Sequence, residues 1–304
     1  MNHERLSGLV AATLTPMNAD GSVNLQPVGP MVELLIGNGI GGLYVCGSTG
    51  EGVSLTTAER KAVTEEFVKA AASRVPVVAQ VGHNSLAEAC DLAAHAAAAG
   101  VDVISATCPS YFKASDNDRL TECVETIAAA ASDKPFYYYH IPSLTGSTVD
   151  IVRFLETGRQ RIPNLVGLKY TDTKLHEFQA CQSVADGTFD VVWGTDEMLL
   201  AATATGAEAA IGSTYNITAP LSRSVIDAFN SGDIETARAT QLQSVQFIRE
   251  LLKVPFHAAV KWILSKSGVE PGPVRSPLQN LSHDDKVSLE QLLNRSEFQS
   301  FCCR

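Results

Sequence analysis

The feature of this sequence that most invites chemistry is a lysine in an apolar, strand-like run. In "VGLKYTD", Lys169 follows the almost wholly apolar "PNLVGL", and the chain turns polar only at "TDT". A buried ammonium is costly unless it is paired or gives up its proton. A free lysine, with a pKa of about 10.4, is neutral in roughly one molecule in a few thousand at pH 7, and desolvation raises that fraction by orders of magnitude. A neutral amine attacks a ketone and forms an iminium, which takes up the electron pair when a neighbouring C–C bond breaks. Such chemistry needs no metal. A nearby phenol such as Tyr139 in "YYYHIP" can move protons during addition and cleavage. The Ser48 and Thr49 hydroxyls of "GSTGE", with adjacent backbone N–H groups, can hold a carboxylate. Together these parts fit a 2-oxo acid. Lys169 alone reads better as a strand-end lysine snorkelling to solvent; its partners turn the balance to the chemical reading.

Other chemistries lack their signatures. Of the histidines, only His83 and His140 fall near strand ends, and no pair has metal-ligand spacing, so no metal is expected. "GSTGE" lacks the lysine and the spacing of a phosphate-binding loop, and no Ser-centred G-x-S-x-G elbow occurs. "GNGIGG" (Gly37 to Gly42) matches G-x-G-x-x-G, but it follows a helix and precedes a strand, the wrong order for a dinucleotide turn. No cofactor is expected.

Eight short apolar runs supply the strands that must position these groups. They are "GLVAATLTP", "GLYVCGS", "VPVVAQVG", "VDVISATCP", "PFYYYHIP", "VGLKYTD", "DVVWGTD" and "EAAIGSTYN". Most are continuous instead of alternating, as in parallel strands covered on both faces. Helical patterns fill the gaps, for example "TTAERKAVTEEFVKAAAS" with its Thr cap and "SLAEACDLAAHAAAAG" with its Ser cap and Gly100 stop. "LQPVGPMVELLIGNG" is expected to become regular at Pro30, and "LSRSVIDAFNSG" to start at its leucine. The alternation predicts a (β/α)8 TIM barrel over residues 1–232. Beyond it, residues 233–304 read as a three-helix extension packed on the barrel. Catalytic groups of such barrels sit at strand C-terminal ends. There the sequence carries Ser48 and Thr49, Tyr111, Tyr139 and His140, Lys169 and Thr171, Gly194 with Asp196 and Glu197, and Ser213.

Composition sets the wider limits. The chain has 304 residues, 45% hydrophobic and 18% charged, enough for a large core. Its net charge of -10 argues against nucleic acid or an anionic membrane as partner and requires an anionic substrate to be caught by local groups. No apolar run reaches the roughly 18 residues that cross a bilayer. The seven cysteines are scattered and odd in number, which suits reduced thiols. Cys302 and Cys303 are expected on an exposed tail. With no signal-peptide pattern in "MNHERLSGLV", a cytoplasmic protein is expected.

"GSTGE", "YHIP", "GLK" and "IGSTYN", in this order on strands 2, 5, 6 and 8, resemble the pyruvate-dependent aldolase family to which dihydrodipicolinate synthase belongs. The resemblance spans essentially the whole chain. It implies that Lys169 forms a Schiff base with pyruvate, that Tyr139 transfers protons, and that Ser48 and Thr49 bind the pyruvate carboxylate. It further implies that Thr171, Gly194, Asp196, Glu197 and Ser213 contact the hydroxylated chain of a sugar acid. Tyr111 would be an inter-subunit proton relay in a homotetramer. The synthase branch carries an arginine for a second carboxylate where this chain has Leu144, which cannot pair with one. Asp196 and Glu197 suit hydroxyl donors better than another anion. The expected reaction is therefore the reversible cleavage of N-acetylneuraminate to N-acetylmannosamine and pyruvate. The alternatives are another pyruvate-dependent aldolase acting on a different 2-oxo sugar acid, or a catalytically silent sugar-acid-binding protein. His140 stands where asparagine is common, with no role assigned.

Overall fold

Each apolar run contains a strand in the computed structural model, which describes residues 4–295 and Phe298. The strands are β1 (Gly8–Ala12), β2 (Gly42–Val45), β3 (Val77–Gln80), β4 (Val103–Ala106), β5 (Phe136–His140), β6 (Leu165–Tyr170), β7 (Asp190–Trp193) and β8 (Ala209–Gly212). They pair in parallel in chain order, and β8 closes on β1, a (β/α)8 barrel. The strands are buried inside and out, which is why the sequence shows continuous apolar runs.

Alternation divides each strand between two cores. Val10, Tyr44, Val78, Val103, Tyr137, Tyr139, Val192 and Ile211 fill the barrel interior. Tyr138, Leu168, Tyr170 and Trp193 join the layer between strands and helices. The "YYY" run of β5 thus splits, with Tyr137 and Tyr139 inside and Tyr138 outside. The β5–β6 register shifts between Phe136 and Tyr137, after which Tyr139 lies beside Lys169. Gly167 makes room for this arrangement, since a Cβ there would come 2.6 Å from the Tyr137 ring.

The helices of the barrel are α1 (Val28–Gly37), α2 (Thr57–Ala71), α3 (Leu86–Ala98), α4 (Asn117–Ala129), α5 (Pro142–Thr145), α6 (Ile151–Arg161), α7 (Leu175–Ser183), α8 (Leu199–Ala204) and α9 (Tyr215–Asn230). Thr56, Ser85, Asp116 and Asp150 cap α2, α3, α4 and α6 through side-chain bonds to backbone N–H groups. Helix α1 starts two residues before the expected Pro30. A proline in the first turn removes an N–H that has no intrahelical acceptor, so Pro30 does not delay the start. Helix α9 starts six residues before the expected Leu221, despite Pro220, and bends at Thr218. Burial overrides the proline here: Tyr215 through Ala219 are all buried, and Asn216 Nδ2 donates to the Ala12 carbonyl at 2.7 Å.

After the barrel come α10 (Ile234–Leu251), α11 (Phe256–Ser265) and α12 (His283–Leu293). Helix α10 lies along α9, and α11 contacts both. No helix among the described residues is long and apolar enough to cross a membrane. Cys46, Cys108 and Cys181 are buried, Cys90 and Cys123 half-buried, and all five are free thiols. Cys302 and Cys303 lie outside the described residues.

Candidate active site

Lys169 points into the barrel and is 4% exposed. Its Nζ lies 3.9 Å from the centre of the Tyr44 ring and 4.1 Å from that of Tyr139. Among the described residues no carboxylate forms an ion pair with it. Burial pulls the Lys169 pKa from 10.5 down to about 7, against the opposing charge of Asp196. That drop corresponds to about 5 kcal/mol. The ring faces favour an ammonium by about 1–2 kcal/mol, so desolvation still wins. A substantial fraction of this amine is neutral at pH 7.

Tyr139 is 3% exposed and neighbours Lys169 across the β5–β6 ladder. Burial lifts its phenol to about 12, while the Ser48 and Thr171 side chains favour the phenolate. The phenol therefore carries its proton at neutral pH and can give and take it back. Tyr44 packs edge-on against Tyr139, with ring centres 5.6 Å apart, and its hydroxyl lies 3.0 Å from Ser105 Oγ. Sequence reasoning did not select Tyr44, although alternation along β2 places it inward beside "GSTGE".

The hydroxyls gather at the same end of the barrel. Thr49 Oγ1 lies 2.6 Å from Ser213 Oγ, joining the loops after β2 and β8. Thr171 Oγ1 is buried and makes no hydrogen bond of good geometry. Gly194 must be glycine to leave it space, because a Cβ there would come 2.0 Å from that oxygen. Asp196 is 9% exposed. Its Oδ2 accepts from the Thr214 backbone N–H at 2.8 Å and from Thr214 Oγ1 at 2.6 Å. Burial nonetheless raises its carboxyl to about 6. Gln241 on α10 fixes the turn from below, donating to the Glu197 carbonyl at 3.1 Å and accepting from the Leu200 N–H at 2.8 Å.

A cavity of about 370 Å³ opens among Thr171, Gly194, Asp196, Glu197 and Ser213, within the range for small-molecule sites. Ile248, Leu252 and Phe256, from α10 and the start of α11, give it an apolar wall that sequence reasoning missed. Lys169, Tyr139 and Thr49 do not line this cavity; they are buried, and reach it through Thr171, Asp196 and Ser213.

Tyr111 stands apart. It is 79% exposed on the loop after β4, packed edge-on against the equally exposed Phe112 at 5.0 Å. Within one chain it is not brought to the cluster. His140 lies outside the barrel wall, 3% exposed, with its ring 5.4 Å from that of Tyr170. Burial lowers its pKa to about 4, so it is neutral at pH 7. Among the described residues, His140, Asp172 and Glu177 place one possible metal ligand each within 4.8 Å of one another, although they come from separate stretches with no motif spacing. The Lys174 ammonium lies 3.3 Å from Asp172 and 4.0 Å from Glu177, so one of the two carboxylate charges there has a counter-charge, and the Tyr170 hydroxyl donates to Glu177 at 2.7 Å.

Residues 5–296 match the model of the dihydrodipicolinate synthetase family. The chain belongs to this family. Among its relatives is N-acetylneuraminate lyase A of Xenopus laevis, 40% identical over 296 residues that cover 95% of this chain and 97% of that protein. The N-acetylneuraminate lyase structure of Proteus mirabilis superposes with a TM-score of 0.93 at 36% identity, covering 98% of this chain and 99% of that one. A sialic acid aldolase from Ruminococcus gnavus, solved as a catalytic lysine mutant, superposes with a TM-score of 0.92 at 27% identity, covering 99% of each chain. Leu144, the position weighed against a second substrate carboxylate, is 65% exposed on α5.

Proposed function

We propose that this protein is a sialic acid aldolase, a carbon–carbon lyase that reversibly cleaves N-acetylneuraminate to N-acetylmannosamine and pyruvate. The observation that carries the reading is the amine of Lys169, buried between two tyrosine rings, without an ion-pair partner among the described residues and depressed to about 7. Near-full-length relatives named N-acetylneuraminate lyase support the substrate.

The steps follow from the residues. Ser48, Thr49 and neighbouring N–H groups receive the carboxylate of the open-chain sugar acid and bring its ketone to Lys169. Neutral Nζ adds to the C2 carbonyl, and loss of water leaves an iminium. Tyr139 gives and takes the protons of that addition. The C4 hydroxyl then gives its proton to the phenolate left on Tyr139 by the loss of water, as the C3–C4 bond breaks and the bond's electrons pass into the iminium to give an enamine. N-acetylmannosamine leaves as the aldehyde. Protonation of the enamine at C3 and hydrolysis of the resulting iminium release pyruvate and free the lysine. Thr171, Gly194, Asp196, Glu197 and Ser213 bind the polyol chain, with Asp196 accepting from a hydroxyl once ionised above about pH 6. The wall of Ile248, Leu252 and Phe256 offers apolar surface beside these polar groups.

Residues 1–232 form the catalytic barrel in this reading and residues 233–304 its extension. The exposed Tyr111–Phe112 pair suits burial against a second copy, in line with a homotetramer in which Tyr111 serves the neighbouring site. The protein would act in the cytoplasm. Incubation with pyruvate and borohydride, followed by peptide mapping, tests the chemistry: the reading expects a pyruvate adduct at Lys169. No adduct would instead favour a silent sugar-acid binder. Turnover confined to other 2-oxo acids would move the substrate assignment within the aldolase class.

A further inference from the structure

The loop that presents Ser48 and Thr49 is held in an unfavourable shape. Cys46 and Glu51 both have φ of 57°, a left-handed conformation that non-glycine residues rarely adopt. The Gly52 N–H donates to the Gly47 carbonyl at 3.0 Å, and a Cβ on Gly52 would come 1.9 Å from the Cys46 carbonyl oxygen. A turn this tight persists only when its surroundings over-determine it. From the barrel, Thr15 Oγ1 donates to the Gly50 carbonyl at 2.6 Å. Thr49 Oγ1 lies 2.6 Å from Ser213 Oγ, and three further hydrogen bonds come from beyond residue 232.

Helix α11 and the segment after it grip the loop at two points. Lys261 Nζ lies 2.6 Å from Glu51 Oε1, with the two side chains 1% and 0% exposed. Lys261 also donates to the Pro273 carbonyl at 2.7 Å, and the Arg275 backbone N–H donates to the other Glu51 oxygen at 2.8 Å. His257, one turn earlier on α11, donates from Nε2 to the Ser48 carbonyl at 3.2 Å. Arg275 then ties the assembly to the start of α2, meeting both Glu59 oxygens at 2.6 and 2.8 Å and the Ser54 carbonyl at 2.8 Å. Such a pair gains little net stability over apolar residues, but it fixes geometry, because misplacing either partner leaves a buried charge unpaired.

We propose that Lys261 is a positioning residue for the carboxylate cradle: through Glu51 it fixes the turn that presents Ser48 and Thr49 to the substrate carboxylate, making the C-terminal helices part of the active-site machinery. This inference rests on the aldolase reading of Lys169 and the cradle.

The test compares Lys261→Met, Lys261→Arg and the double variant Lys261→Met/Glu51→Gln in the full-length protein. Borohydride trapping at Lys169 is measured with pyruvate and with acetone, which has the ketone but no carboxylate. The expected result for Lys261→Met is a pyruvate-to-acetone trapping ratio lower by about tenfold, with the KM for pyruvate in the synthetic direction raised about tenfold and kcat changed much less. Lys261→Arg restores part of the ratio. The double variant, freed of the unpaired carboxylate, regains its melting temperature while its ratio stays low. A general loss of stability would not change a ratio between two ketones. Ratios within twofold of the parent in both Met variants would overturn the proposal. So would a double variant that does not fold, since the pair would then serve the fold and not the loop. Failure of the parent protein to trap pyruvate at all would instead overturn the aldolase reading.

Discussion

Lys169 and Lys261 are buried to a similar depth, 4% and 1% exposed, yet their surroundings differ in one respect. Lys261 meets a carboxylate at 2.6 Å and a carbonyl at 2.7 Å. Lys169 meets the faces of two aromatic rings. Burial lowers the pKa of both, but at Lys261 the Glu51 charge and hydrogen bond oppose it at contact distance. At Lys169 the opposing charge comes from Asp196, whose carboxylate is already engaged by Thr214. The difference shows how one residue type yields either a strut or a nucleophile. Desolvation is common to both; the contact partner decides whether the proton stays.

The comparison predicts opposite responses to the same substitution. Lys169→Met should abolish both the pyruvate adduct and turnover, the largest effect expected. It should also stabilise the protein at pH 7. The folded-state pKa is about 7 against 10.5 for the free group. The unfolded chain therefore binds more protons between those values, and stability rises with pH across that window. At pH 7 the buried amine costs about 4 kcal/mol, so Lys169→Met should raise the melting temperature by roughly 6 °C. Calorimetry that showed a fall would break the contrast.

Tyr139→Phe separates dryness from proton transfer. It keeps the ring over Lys169 and should still lower kcat by about 10²–10⁴-fold, with a much smaller effect on pyruvate binding. An unchanged kcat in steady-state assays would mean that the phenol moves no proton. Lys261→Met should destabilise by about 3–5 kcal/mol, because Glu51 keeps its buried charge without a partner. Denaturant titration measures this directly. A smaller effect is expected of Asp196→Asn, which removes the charge that favours the Lys169 ammonium. The pH midpoint of adduct formation should move below about 7, and the KM for the polyol substrate should rise. A midpoint moving upward would contradict the assigned electrostatics.

The two lysines also differ in how far the sequence discloses them. Lys169 is conspicuous because an amine interrupts an apolar run, and the parallel barrel follows from eight such runs and the helical patterns between them. Alternation explains why Tyr139 and Lys169 face the same interior. Lys261 gives no comparable signal: "HAAVKWILSK" reads as an ordinary amphipathic helix, and its partner Glu51 lies 210 residues away. Local periodicity carries no information about a contact at that separation. The apolar wall of Ile248, Leu252 and Phe256 escaped for the same reason. Tyr44 was within reach of alternation, but it lies inside the apolar run of β2 and reads there as ordinary core. The early starts of α1 and α9 reflect tertiary burial and helix-end chemistry overriding a proline rule.

The account turns on the protonation of one amine, and pH-resolved trapping measures it most directly. Pyruvate and borohydride, applied from pH 5 to pH 10 with the modified peptides mapped, should label Lys169 with a midpoint near pH 7 and leave Lys261 untouched. Labelling of Lys169 that rises only near pH 10, or no labelling there at any pH, would contradict it.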